Sequence, residues 1–129
     1  MNIVRIKSRD AHRINDIKQL QLALAHYFQD NNKYPTAAQF NNSLAPTYIA
    51  AIPTDPNGAS YLYSTLGVGV TCSSYHLGAV LEDSSNPGLL TDADAGVSSK
   101  CTGGANDFNG ASTGCNSSGG DDQCYDVKP

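Results

Sequence analysis

NIVRIKSRDAHRINDIKQLQLALAHYFQDNNKYP, residues 2–35, is the stretch on which the fold turns. Ile3, Ile6, Ile14, Ile17, Leu20, Leu24 and Phe28 recur at steps of three and four, the apolar stripe of one long amphipathic helix. Neither Gly nor Pro interrupts the run before Pro35. Asp30-Asn31-Asn32 supplies a polar stop that tolerates a left-handed backbone, and Pro35 forbids an immediate restart. The pattern predicts a helix over residues 3–31. At 1.5 Å per residue it would be about 43 Å long. A chain of this size has a radius of gyration of only about 14 Å. Such a helix therefore protrudes or forms the spine for everything else.

Working outward, residues 36–83 have the texture of a compact fold. Thr36 is placed to N-cap a short helix ending near Leu44, with Ala37, Phe40 and Leu44 on one side. Pro46, Pro53 and Pro56 then build a loop anchored by Tyr48, Ile49 and Ile52, and Asp55-Pro56-Asn57-Gly58 is a strong turn signal. SYLYSTL (60–66) is rich in β-formers. In SYHLGAVLE (74–82), Tyr75, Leu77, Ala79 and Leu81 alternate with Ser74, His76, Gly78 and Glu82, and Val80 alone breaks the polar side. The two runs predict an antiparallel hairpin with one face buried, joined across residues 67–73. On this reading His12, His26 and His76 are surface residues.

The remainder, residues 84–129, differs in kind. Of the 38 residues from 84 to 121, 27 are Gly, Ser, Asn, Asp, Thr or Pro, too polar to offset the entropy of ordering by burial. Covalent tethering is the available remedy. Cys72, Cys101, Cys115 and Cys124 all lie in the second half of the chain and include no C-x-x-C pair, so two disulfides in an oxidising compartment are favoured over zinc. Four cysteines allow three pairings; closure of sequential loops favours Cys72–Cys101 with Cys115–Cys124. QCYDV (123–127) has enough β character for a last edge strand.

The whole is expected to be one α+β domain of 129 residues: a long N-terminal helix (1–35), a short helix, loop and hairpin (36–83), and a disulfide-tied C-terminal region (84–129). The N-terminal helix is expected to pack on a small antiparallel sheet. Net charge is −4 and unevenly spread. Residues 1–18 set Arg5, Lys7, Arg9, Arg13 and Lys18 against Asp10 and Asp16, a net of +3, whereas residues 82–129 carry −6. A basic patch this small, on one helix end, argues against nucleic acid as a partner. Asp92, Asp94 and Asp107 supply the hard oxygen ligands that calcium needs, and calcium is the one cofactor this composition suggests; the competing reading is of solvated loop carboxylates. No Ser/His/Asp, Cys/His or paired-carboxylate arrangement stands out, so the expectation is a protein that is not an enzyme.

KSRDAHRINDIKQLQLALAHYFQDNNKYPT (7–36), YIAAIPTDPNGASYLYS (48–64) and YHLGAVLE (75–82) together resemble the type IV pilin and type II secretion pseudopilin superfamily, with the major (G-type) pseudopilins nearest in pattern. The resemblance spans residues 2–83. Its most specific parts are D-N-x-x-Y-P (Asp30, Asn31, Tyr34, Pro35) and I-P-x-D-P (Ile52, Pro53, Asp55, Pro56). Asn57 stands where the G-type pattern has Trp, four cysteines stand where it usually has none, and TDADAG (91–96) with GGANDFNG (103–110) only loosely match its calcium loop. The resemblance implies a structural subunit of an extracytoplasmic filament, a type IV pilus or a secretion pseudopilus. It implies an apolar anchor helix ahead of residue 2 that ties the subunit to the inner membrane until assembly. Its partners would be copies of itself, related pilins or pseudopilins, and the inner-membrane assembly machinery. Arg5, Arg9, Arg13 and Lys18 would be the candidates for ion pairs with a neighbouring subunit. The alternative is a pilin-like adhesion or binding module that acts through its C-terminal loop.

Overall fold

The structure is a computed structural model that describes residues 3–36, 39–69, 71–83, 85–90, 92–93, 99–101, 107–108 and 123–129. Helix α1 runs Ile3–Asn31, the span that the apolar period demands. Ile17, Leu20, Ala23, Leu24 and Tyr27 are buried along its inner stripe, with Ile14 and Phe28 partly so. Each fully buried Leu or Ile contributes about 1.5–3 kcal/mol. The N-terminal turn carries no such burial, and Val4 there is 70% exposed. The helix is therefore spine over its second half and projection over its first turns. It ends on Asn32, which takes a left-handed φ of 58° and donates its N–H to the Phe28 carbonyl at 2.8 Å. Asn tolerates this conformation because its short polar side chain can bond locally.

Three antiparallel strands form the sheet in the order β1-β2-β3: β1 Leu62–Val68, β2 Thr71–Val80 and β3 Cys124–Val127. The hairpin expected over 60–66 and 74–82 is present, but its connection is far shorter than residues 67–73. Gly69 adopts φ 57° at the turn and Gly67 takes φ 148° where the register shifts between Leu66 and Val68, so both strands run on to a tight tip. The weakly indicated last strand is also present, pairing Leu77–Val80 with Val127–Cys124.

The second helix, α2, is Phe40–Leu44, shorter than expected. Thr36 does not cap it: Gln39 occupies the N-cap position, without a side-chain cap bond. Thr36 N–H instead donates to Gln39 Oε1 at 3.3 Å, and Ala37 lies outside the described residues. Phe40 and Leu44 nonetheless reach the core, where Phe40 stacks on Tyr63 with centroids 4.2 Å apart. A short 3-10 turn, Pro87–Leu90, brings Leu89 into the same core.

The inner face of β2 presents Tyr75, Leu77 and Ala79 to α1, with Leu81 just beyond the strand, as the alternation requires. The other face departs from expectation. His76 and Gly78 are buried there, and His76 is entirely enclosed. A segment of chain invisible to the strand pattern, bearing Asp107 and Phe108, covers His76.

Candidate functional site

Three assemblies of polar side chains fix α1 to the sheet and the C-terminal region to its far side. The first grows from α1. Asp10 and Arg13, three residues apart, lie on the same helical face. Arg13 Nε and Nη2 donate to both Asp55 oxygens at 2.9 Å, and Nη1 reaches Asp10 at 2.8 Å and Glu82 at 2.7 Å. Arg9 grips Glu82 through Nε and Nη2 at 2.6 and 2.7 Å. Asp10 also accepts the backbone N–H groups of Glu82 and Asp83, each at 2.9 Å, and so terminates β2. Asp55 holds the Asn57 N–H at 3.0 Å, closing the turn that the sequence announces.

Electrostatics follow from this geometry. Burial opposes the charge on Arg13, but the hydrogen bonds it donates to Asp55, Glu82 and Asp10 outweigh it and hold the guanidinium above its ordinary value. Glu82 is held down at about 2, first by its hydrogen bond to Arg9 and then by Arg13. Beside the network, a shallow cleft of about 490 Å³ is lined by Arg9, Arg13, Pro56, Asn57, Leu81 and Glu82.

The second assembly pins the C-terminal end of α1. Tyr34 packs against Phe28 (4.7 Å) and edge-on against Tyr75 (4.8 Å). Its N–H donates to the Cys72 carbonyl at 2.8 Å. The Pro35 carbonyl accepts two hydroxyls from β1, Tyr63 at 2.6 Å and Thr65 at 2.7 Å. Asp30 accepts the Tyr48 hydroxyl at 2.7 Å. Each element of D-N-x-x-Y-P except Asn31 thus ties the helix end to loop or sheet; Asn31 Nδ2 bonds back to the Tyr27 carbonyl. Further along α1, Asp16 takes the Tyr61 hydroxyl at 2.6 Å. Burial, then that bond, pushes the Tyr61 phenol well above its ordinary range, and burial lifts Tyr75 to about 12.

The third assembly lies on the outer face of the sheet. His76 Nδ1 stands 2.6 Å from Asp107 Oδ1, and Nε2 stands 2.6 Å from Asp126 Oδ2. All three side chains are completely buried. The Phe108 ring stacks on the imidazole at 3.8 Å and 12°. Asp126 reaches His76 because it sits opposite Gly78, which has no side chain to intervene.

The expected site residues are distributed as follows. Arg5 and Lys18 are exposed on α1. Arg9 and Arg13 bond within their own chain, and Arg13, only 3% exposed, is not presented to a neighbour as the sequence suggested. The reason is Asp55 and Glu82, which a helical projection of residues 3–31 cannot show. Cys72 and Cys101 form the favoured disulfide, with Cα atoms 5.3 Å apart. Cys124 is also disulfide-bonded, while Cys115 lies outside the described residues. Of the three calcium candidates, Asp107 is engaged by His76, Asp92 Oδ2 accepts the Asp126 N–H at 3.3 Å, and Asp94 lies outside the described residues. Among the described residues, no group of three or more His, Cys, Asp or Glu is arranged to hold a metal ion. His12 and His26 are exposed as expected; His76 is the exception.

Sequence reasoning did not assign Asp10, His76 and Asp126 to a site, and it read Asp55 only as a turn and motif residue. The i,i+3 spacing of Asp10 and Arg13 was a usable signal for the first. For His76, its place between apolar neighbours on a strand gave no hint of partners 31 and 50 residues away. Among the described residues, no helix is long and apolar enough to cross a membrane. Compared with protein-family models, with curated proteins and with solved structures, the chain finds no match.

Proposed function

We propose that this chain is a structural subunit of an extracytoplasmic filament of the type IV pilus or secretion pseudopilus kind. The observation that carries the reading is the position of the two motifs behind the resemblance. D-N-x-x-Y-P fastens the C-terminal end of α1 to β1 and β2, and Asp55 of I-P-x-D-P fastens the middle of α1 through Arg13. Both motifs therefore hold one long helix rigidly against a small sheet. A filament subunit needs that rigidity, because the angle between shaft helix and outer sheet sets how copies stack. The first turns of α1, with Val4 exposed, continue the helix in the direction an anchor would take. Arg5 and Lys18, exposed and basic, are the residues left to meet the acidic surface of an adjacent copy. The test is fractionation of cells that express the chain from its native reading frame. Immunoblotting should find it in the sheared surface-filament or inner-membrane fraction with its cysteines oxidised. Recovery only from the cytosol, with four alkylatable thiols, would overturn the proposal.

A further inference from the structure

The outer face of the sheet poses a problem of charge. Asp107 and Asp126 are both carboxylates, both fully buried, and both aimed at one imidazole. Two buried anions need a cation between them. A neutral imidazole has one N–H and one lone pair, so it donates to one carboxylate and opposes the other. With both acids ionised and both ring nitrogens 2.6 Å from their oxygens, two hydrogen bonds require both ring protons. Among the described residues, Ser64 pairs with His76 across β1, Asp126 approaches from β3, and Asp107 with Phe108 comes from the C-terminal region. Asp92, on the segment after the 3-10 turn, accepts the Asp126 N–H. The charged groups among these are all carboxylates.

We propose that the His76 side chain, doubly protonated between Asp107 and Asp126 and stacked on Phe108, is a built-in cation that clasps the C-terminal region to the outer face of the sheet. It does there what a bound divalent ion does in an acidic loop: it neutralises clustered carboxylates and fixes them by directional contacts. Nearly all the chain between β2 and β3 is too polar to order by burial. Among the described residues, two points beyond Ala93 hold it from the sheet side. One is the Cys72–Cys101 disulfide, beside which Lys100 bridges Leu66 on the edge of β1. The other is the clasp, six residues further along at Asp107. Because the imidazolium already engages these Asp107 and Asp126 oxygens, the clasp operates without calcium.

Nitrogen-15 shifts of the His76 ring at neutral pH, hydrogen exchange, and melting in calcium against chelator together decide the matter. The ring should show the signature of two protonated nitrogens. Asp107→Asn keeps the His76–Asp126 pair on the sheet and removes only the anion of the C-terminal region. Exchange at Asp107–Phe108 should then rise by roughly ten- to a hundredfold, the range set by hydrogen bonds to charged groups, while α1 and the β1–β2 hairpin keep their protection. Melting of the unaltered protein should be the same in calcium and in chelator. A singly protonated ring, unchanged exchange in D107N, or a calcium-dependent rise in melting temperature that D107N abolishes would each overturn the proposal. None of these readings depends on whether the chain assembles into filaments.

Discussion

Arg13 and Glu82 show at the scale of single residues how a polar contact can do the work of core packing. Arg13 is enclosed with Asp10 and Asp55, and Glu82 closes the cluster at its wetter edge. Removing Arg13 leaves the carboxylates of Asp10 and Asp55 buried without their cation, which costs about 3–5 kcal/mol. Arg13→Ala is therefore expected to lose that much in urea unfolding; a loss below about 1 kcal/mol would place the pair among solvent-screened surface contacts. Glu82 makes a prediction about pH. Its folded value, about 2, lies below the ordinary 4.5, so its contribution is complete above pH 4.5 and fades as pH falls toward 2. The stability gap between the unaltered protein and Glu82→Gln should accordingly be widest near neutral pH and should narrow on acidification. Urea melts near pH 6 and about pH 3 would read it, and a gap that widened in acid would contradict the assigned partners.

Among the elements, α1 is governed by how it ends. Nothing in its last turn is basic, so the helix gains no charge–dipole help there and relies on the left-handed Asn32 and on Tyr34-Pro35. A β-branched residue at φ 58° is strained, whereas glycine is not. Asn32→Gly should leave the melting temperature within a degree or so, and Asn32→Ile should cost about 1–2 kcal/mol. Equal effects of the two would show that side-chain bonding rather than backbone conformation matters at this position. The sheet tells a complementary story. β2 is apolar toward α1 and polar by sequence on its other face, yet both faces are buried at His76 and Gly78. At His76 its polar face is not a solvent face but the floor for the segment that bears Asp107 and Phe108.

For the molecule as a whole, the Cys72–Cys101 disulfide links β2 to the segment that borders β1 and closes a loop spanning 29 residues of separation. The chain-entropy account assigns such a loop about 3–4 kcal/mol. The double variant Cys72→Ser with Cys101→Ser should lower stability by that order. Hydrogen exchange should rise first around Ser99–Cys101, where the Gly67 N–H donates to the Ser99 carbonyl and the Cys101 N–H to the Thr65 carbonyl, registering that segment on β1. If exchange rose instead first in α1, the bridge would be supporting the helix–sheet core and not the C-terminal region.

Local periodicity by itself determined the span of α1, its buried stripe, its stop at Asn32, the hairpin and the short last strand, because those depend on residues a few positions apart. Cysteine spacing favoured the Cys72–Cys101 pairing. Only the tertiary structure decided which charges are internal. Arg13 looks like its neighbours Arg5 and Arg9 on a helical projection, but Asp55, 42 residues on, takes it out of solvent. His76 looks like a surface residue on an alternating strand, but Asp107 and Asp126 enclose it. Thr36 is a good cap by type, yet the short helix is Phe40–Leu44 and Gln39 takes its N-cap position. The physical reason is common to all three. Helix and strand patterns are written in the spacing of apolar residues, whereas the partner of a polar group is chosen by where distant segments of chain come together.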